Sequence, residues 1–294
     1  MRVTHRMIIE NAIRSMSDNL QKLGDLQSRA SSGKKFDVSS DHPRASRSAL
    51  ALRSSIQTNQ GYLETIQAAE GWLNASQNAL GNLERMGIQA VNAALEGVSD
   101  TNSEARQILA QKLDGLIEEG ISTANVRHLD SYLFSGFKVN TEPFTLTSGS
   151  PDTVSFSGDQ GVIQRAIAPD RSLTVNFDAD AVISPFFSAL ISARDALLLD
   201  DTSGIQAAVE DLQSAQEGIT EQMAINGTRL KETEESTAYL EETQLTLRGL
   251  LSREEDIDLV EIITELRHQE TVYQTTLEVG HRTLAAVNLF DLLK

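Results

Sequence analysis

The sequence predicts a mainly α-helical protein. We expect a long coiled-coil helical bundle made from the N- and C-terminal segments, with a small β-rich insert in the middle. Four of the five prolines lie between Pro143 and Pro185, and proline breaks the interior of a helix. Seven of the nine phenylalanines fall between Phe134 and Phe187. The middle of the chain therefore differs in kind from its two flanks, which can hold long helices.

The first helix is predicted from about Val3 to Ser32. Apolar residues four and three positions apart form one stripe along it, namely Ile9, Ile13, Met16, Leu20 and Leu23. Gly33 offers a left-handed stop for this helix. A polar loop that includes Lys34 and Asp41 follows, and Pro43 stands where the first turn of a new helix tolerates proline.

The next segments change from helical to extended patterns. Helical spacing of apolar residues predicts one helix over Arg44–Glu96 and another over Ser103–His128. Short strands are then predicted over Thr153–Ser157, Val162–Ile167 and Ser172–Phe177, separated by turn-rich stretches. These strands make up the small β-rich insert.

The most regular pattern is a heptad seam that alternates steps of four and three residues from Ile205 to Leu251. Nine of its fourteen positions are aliphatic or methionine, which is typical of a coiled coil. The polar seam residues Gln216, Asn226 and Gln244 are predicted to set the register.

The final helix is predicted to begin at a capping box, Ser252–Glu255. Its apolar positions toward the C-terminus include Tyr273, Leu277, Leu284, Val287 and Phe290. We therefore predict three regions: terminal helices at 1–43 and 252–294, a helical rod at 44–140 and 185–251, and the insert at 141–184. The terminal stripes have no local partner in the sequence, so they are expected to pair with each other or with other chains rather than to serve only as core.

Charge and composition exclude several classes of protein. The net charge is −17, from 25 basic and 42 acidic residues, which argues against nucleic-acid binding because that depends on neutralising phosphates. Residues 1–60 are basic and residues 200–258 acidic, which indicates either solvated faces or complementary partner segments. The chain has no cysteine, and we expect neither a membrane span nor a cleaved signal peptide.

No pattern of residues predicts chemistry. The five histidines do not stand at metal-ligand spacing, and the sequence has no nucleotide-binding or nucleophile motif. The carboxylates of Glu254, Glu255, Asp256 and Asp258 are explained by the favourable charge of a helix N-terminus. We therefore expect no catalytic, metal or cofactor site; an enzyme in the β-rich insert is the alternative from another class.

Several ordered segments resemble the bacterial flagellin family. Ser32–Phe36 and Ser39–Pro43 are similar to the family's N-terminal signature, and Ser131–Gly136 is similar to the segment that ends its N-terminal helical region. Leu251–Leu259 with Gln269–Gln274 resembles the C-terminal signature. The resemblance covers about residues 1–140 and 185–294.

Both chain ends resemble the hook-associated junction branch of that family more than filament flagellin. Met1–Thr4 and Phe290–Asp291 carry this likeness, although Asn288 and Leu292 depart from the branch and leave flagellin as the alternative. The resemblance implies an extracellular structural protein of the flagellum, exported by the flagellar type III apparatus. It implies as partners other copies of the chain, hook-associated protein 1 on the hook side, flagellin on the filament side and an export chaperone.

Overall fold

The computed structural model describes residues 5–36, 42–99, 102–149 and 151–291, except for the side chains of residues 5, 6, 8, 9 and 283–291. Within these ranges the helices are α1 (His5–Ser32), α2 (Pro43–Ser99), α3 (Ser103–Ala124), α4 (Ala179–Leu198), α5 (Thr202–Glu255) and α6 (Leu259–Asp291). The strands are β1 (Arg127–His128), β2 (Ser131–Tyr132), β3 (Phe144–Thr147), β4 (Thr153–Phe156), β5 (Gln164–Ala168) and β6 (Arg171–Thr174). The predicted mainly α fold with a small β-rich insert is confirmed.

The chain divides into two compact units. One comprises residues 1–58 and 243–294, and the other comprises residues 59–242. The first unit holds α1, α6 and the adjoining ends of α2 and α5, and the second holds the remaining elements. The division into terminal, rod and insert regions that the sequence suggests stays a prediction.

Phenylalanine side chains form the centre of the core in residues 59–242. Phe144, Phe186 and Phe187 are fully buried, and the ring centroid of Phe187 lies 5.6 Å from that of Phe144. A Cβ atom at Gly120 would lie 2.9 Å from the Phe187 ring, so this position of α3 requires glycine. The clustering of phenylalanine in the middle of the sequence thus reflects the core.

Helix α4 has the length and composition of a membrane span, although no such segment was expected from the sequence. An 18-residue stretch of this 20-residue helix has a mean hydropathy of 1.4, and 56% of that stretch is buried inside the protein. It packs against α3. Because more than half of this stretch is buried, packing in the core accounts for the apolar character of α4.

The heptad seam of α5 is present as predicted. Each of its fourteen positions is buried or half-buried. Asn226 Nδ2 donates hydrogen bonds to the Leu73 carbonyl at 2.9 Å and to Gln77 Oε1 at 2.8 Å. Gln216 Nε2 donates to the Glu84 carbonyl at 3.5 Å. These bonds tie the register of α5 to that of α2, as polar seam residues do in coiled coils.

The insert consists of antiparallel hairpins that pack on the helices. In the β3–β4 hairpin Phe144 pairs with Phe156, and in the β5–β6 hairpin Ile167 and Leu173 are buried among α2 side chains. Arg194 of α4 holds the turn of the β3–β4 hairpin, because its guanidinium donates to Asp152 Oδ2 at 2.6 Å. Strand β3 was missed in the sequence because its four residues follow directly after a proline and turn-forming residues.

Two predicted helix boundaries are wrong. Helix α3 ends at Ala124 instead of His128, because the Asn125 side chain bonds to the Phe144 backbone amide and carbonyl at 2.9 and 2.7 Å. The predicted capping box at Ser252–Glu255 lies inside α5. The cap of α6 is Asp258, whose Oδ1 accepts from the amides two and three residues further on at 2.9 and 3.3 Å.

Candidate functional site

The terminal helices α1 and α6 pack against each other. Leu26 of α1 and Ile262 of α6 are buried, with 8% and 7% exposure. Asn19 Nδ2 donates to Thr276 Oγ1 at 3.0 Å, and Gln269 Nε2 donates to Asn19 Oδ1 at 3.2 Å. Because an apolar seam tolerates such polar contacts only in matching positions, they favour one register of the pair.

The predicted apolar stripe of α1 is partly packed against α6 and partly exposed. Met16 and Leu23 are half-buried, and Met16 lies against Gly280 of α6. Ile13 and Leu20 are one heptad apart and are 60% and 54% exposed. The packed pair therefore leaves part of its predicted apolar stripe open to another helix.

Helix α6 contributes further exposed apolar side chains. Tyr273 is half-buried, whereas Leu277 and Val279 are 42% and 58% exposed. Four other predicted interface side chains lie outside the described residues, namely Ile9, Leu284, Val287 and Phe290. The described part of α6 thus adds to the open apolar surface of the terminal pair.

Residues 33–35 and 255–257 form a short antiparallel bridge, which we call the latch. The Lys35 amide donates to the Glu255 carbonyl at 2.7 Å. The Lys35 side chain also donates to the Arg253 carbonyl. The latch therefore joins the end of α1 to the α5–α6 connection through backbone bonds, although the two segments lie at opposite ends of the sequence.

Gly33 supplies the backbone conformation that the latch requires. Its φ of +71° is left-handed, a region that glycine enters without the steric cost of a Cβ atom. Its amide closes α1 by donating to the Arg29 carbonyl at 2.9 Å, and its carbonyl accepts from the Ile257 amide at 3.1 Å. Gly33, the predicted left-handed stop of α1, thus also belongs to the latch.

An ion-pair network lies over the latch. Lys34 Nζ is 2.6 Å from Asp256 Oδ1 and 3.2 Å from Glu255 Oε2, and Arg53 Nη2 is 2.8 Å from the same Glu255 oxygen. The Glu255 side chain is only 5% exposed. The hydrogen bond from Lys34 lowers the pKa of the Asp256 carboxyl and raises the pKa of the Lys34 ammonium. A nearly buried carboxylate needs such partners.

The structure brings together two of the segments that carried the family resemblance. Gly33 and Lys34 lie in the latch, Pro43 begins α2, and Asp41 lies outside the described residues. The role of Glu255 in the latch was not expected from the sequence, in which its position indicated a helix cap. The sequence feature that could have indicated this ion-pair network was the pair of lysines at 34 and 35 together with the pair of acidic residues at 255 and 256.

The terminal pair offers an apolar surface for binding. In the part of the chain that the structure describes, no group of three or more His, Asp or Glu residues could hold a metal ion. The apolar groove along α1 and α6 has a volume of about 510 Å³ and includes Ala12, Val272 and Val279. Such a groove accepts the apolar face of another helix.

Comparison with known proteins supports the family resemblance. Residues 3–138 match the bacterial flagellin N-terminal helical region. The chain is 22% identical over 203 residues to flagellar hook-associated protein 3 of Escherichia coli K12, covering 66% of this chain. The chain spans 61% of the length of that curated relative.

Solved structures share the fold. One from Vibrio parahaemolyticus, described as a flagellar hook-associated protein, has a TM-score of 0.67 and 16% identity, over 74% of this chain and 100% of its own. FlgL of Bacillus cereus has a TM-score of 0.61 and 16% identity, over 69% and 99%. The resemblance to the flagellin family and its hook-associated branch, expected from the sequence motifs, is confirmed.

Proposed function

We propose that this chain is a structural component of the bacterial flagellum that forms the junction between hook and filament. The observation that carries the proposal is the terminal helix pair, which keeps Ile13, Leu20 and Leu277 exposed. Exposed apolar side chains at heptad spacing are typical of helices that pair with further helices. The name of the Escherichia coli relative, flagellar hook-associated protein 3, supports a position at the hook.

In this proposal several copies assemble into a ring and serve as the platform for flagellin assembly. The terminal helices, residues 1–43 and 252–294, form the inner tube domain; residues 44–140 and 185–251 form the rod; and residues 141–184 form the outer insert. The neighbours are hook-associated protein 1 on the hook side and flagellin on the filament side. The chain reaches this extracellular position through the flagellar type III apparatus, accompanied by an export chaperone.

The test is a clean deletion of the gene in the bacterium that carries it. We expect hooks without filaments by electron microscopy and monomeric flagellin in the medium. Restoring the unaltered gene should return the filaments. Normal filaments in the deletion strain would contradict the junction role.

A second measurement separates the junction role from that of a filament subunit. Purified chain is incubated with sheared filament seeds, because a flagellin should extend them into long filaments. We expect no extension, since a junction protein forms a layer of limited size. Growth of long filaments made of this chain alone would identify it as a flagellin.

A further inference from the structure

The turn between β1 and β2 has an unusual backbone for its sequence. Leu129 and Asp130 have φ values of +46° and +65°. A two-residue hairpin turn of this kind normally contains asparagine and glycine. Leu129 is nevertheless 84% exposed, the highest value among the large apolar side chains of the described residues. A strained position that also exposes an apolar side chain suggests a contact outside the chain.

The base of this hairpin is held in place by aromatic contacts. The Arg127 guanidinium lies 5.1 Å from the centroid of the Tyr132 ring and donates to the Asp130 carbonyl. His128 packs edge-on against Trp72 of α2, with 6.1 Å between ring centroids. These contacts hold the backbone that carries Leu129, which lowers the entropic cost of binding.

A cleft between α4 and α5 provides a matching surface. Its volume is about 420 Å³. Its lining combines small and apolar side chains with serines and one aspartate, and includes Val182, Pro185, Ser188, Ala189, Asp211 and Ala215. Asp211 has no ion pair within the described residues, and Arg127 has none there either.

We propose that Leu129 of one copy docks into the α4–α5 cleft of a neighbouring copy, where Arg127 faces Asp211. The opposite charges of these two residues, neither of which forms an ion pair among the described residues, favour a second copy as the occupant. This inference rests on the proposed function, in which copies lie side by side in the flagellum.

The positions of hairpin and cleft on the molecule favour this arrangement. His128 lies beside Gly71, whereas Gln216 of α5 lies beside Gly87. These glycines are 16 residues apart on α2, which is about 24 Å by helical rise. A chain therefore cannot fill its own cleft, and the contact is head-to-tail, the type that closes into rings.

The first test replaces Leu129 with asparagine. Leu129→Asn removes the apolar anchor but suits the left-handed turn, since asparagine enters that region more readily. We expect an unchanged or higher melting temperature, unchanged Trp72 fluorescence, and an about tenfold or greater fall in the chain found in isolated flagella. The matched control is Leu199→Asn, since Leu199 is 78% exposed with an ordinary φ of −87°. Normal incorporation of Leu129→Asn, or an equal fall in both variants, would overturn the proposal.

The second test uses the absence of cysteine from the chain. Copies carrying Leu129→Cys are expressed together with copies carrying Ser188→Cys, and isolated flagella are oxidised. We expect a disulfide-linked dimer, and none when Leu199→Cys replaces Leu129→Cys. If both cysteine variants are present in flagella but no dimer forms, the proposed contact alone is overturned. If the unaltered chain is absent from flagella, the proposed function is overturned.

Discussion

Replacing Glu255 with glutamine removes one negative charge from the latch and keeps the size of the side chain. Glu255 Oε2 receives contacts from Arg53 at 2.8 Å and from Lys34 at 3.2 Å. The amide that replaces this carboxylate has one acceptor oxygen and no charge. We therefore expect Glu255→Gln to weaken the contact between the end of α1 and the α5–α6 connection without creating a cavity.

The size of the effect follows from the exposure of the partners. Hydrogen bonds to charged groups contribute about 1.5–3 kcal/mol. Arg53 and Lys34 are 60% and 41% exposed, so water replaces part of the lost contact. We expect the latch to lose about 1–2 kcal/mol, which corresponds to an about 5–30-fold change in its opening equilibrium.

Amide hydrogen exchange measures this opening directly. The Lys35 and Ile257 amides are the donors of the two latch bonds, so their exchange should accelerate about 5–30-fold. Glu254→Gln is the matched control, because Glu254 has no ion pair within the described residues. Unchanged exchange in Glu255→Gln, or equal acceleration in the control, would refute the reasoning.

Three further predictions concern assembly, the core and pH. Ile13→Asp should change the free energy of unfolding by no more than about 0.5 kcal/mol, because Ile13 is 60% exposed. The same substitution should abolish incorporation into flagella, and Gln21→Asp is its control. Normal swimming of Ile13→Asp bacteria would contradict the assembly role. Phe187→Ala should lower the free energy of unfolding by about 3–5 kcal/mol in urea denaturation, because Phe187 is fully buried. The hydrogen bond from Lys34 lowers the pKa of Asp256 below 3.8. The stability that this ion pair contributes is therefore present above about pH 4 and is lost as the pH falls through the lowered pKa. An Asp256 pKa at or above 3.8, measured from the carboxyl chemical shift over a pH titration, would exclude this.

The elements that were predicted well are those whose pattern is long and local. The α5 seam could be placed because fourteen positions repeat at heptad spacing, and every one of them is buried or half-buried. The stop of α1 at Gly33 was equally visible, because a left-handed residue after a helix favours glycine. Regularity over many residues thus made the helices predictable.

Short elements and boundaries were predicted poorly because distant contacts decide them. Ser252 has the spacing of a helix cap, but α5 continues through it and Asp258 caps α6 instead. Asn125 ends α3 by bonding to the backbone of Phe144, 19 residues further on. Local propensity is weak compared with such tertiary contacts.

The candidate site divides in the same way. The apolar stripe of α1 was visible from spacing, but only the packing of α6 separates half-buried Met16 and Leu23 from exposed Ile13 and Leu20.

The sequence by itself determined the helical class, the seam of α5 and the resemblance to flagellins, because apolar periodicity and short motifs are properties of neighbouring residues. The tertiary structure alone decided the latch. Lys34 and Asp256 are 222 residues apart, and nothing in the spacing of either segment states that they meet. Their contact exists because folding brings the end of α1 to the α5–α6 connection, where a nearly buried Glu255 requires positive partners.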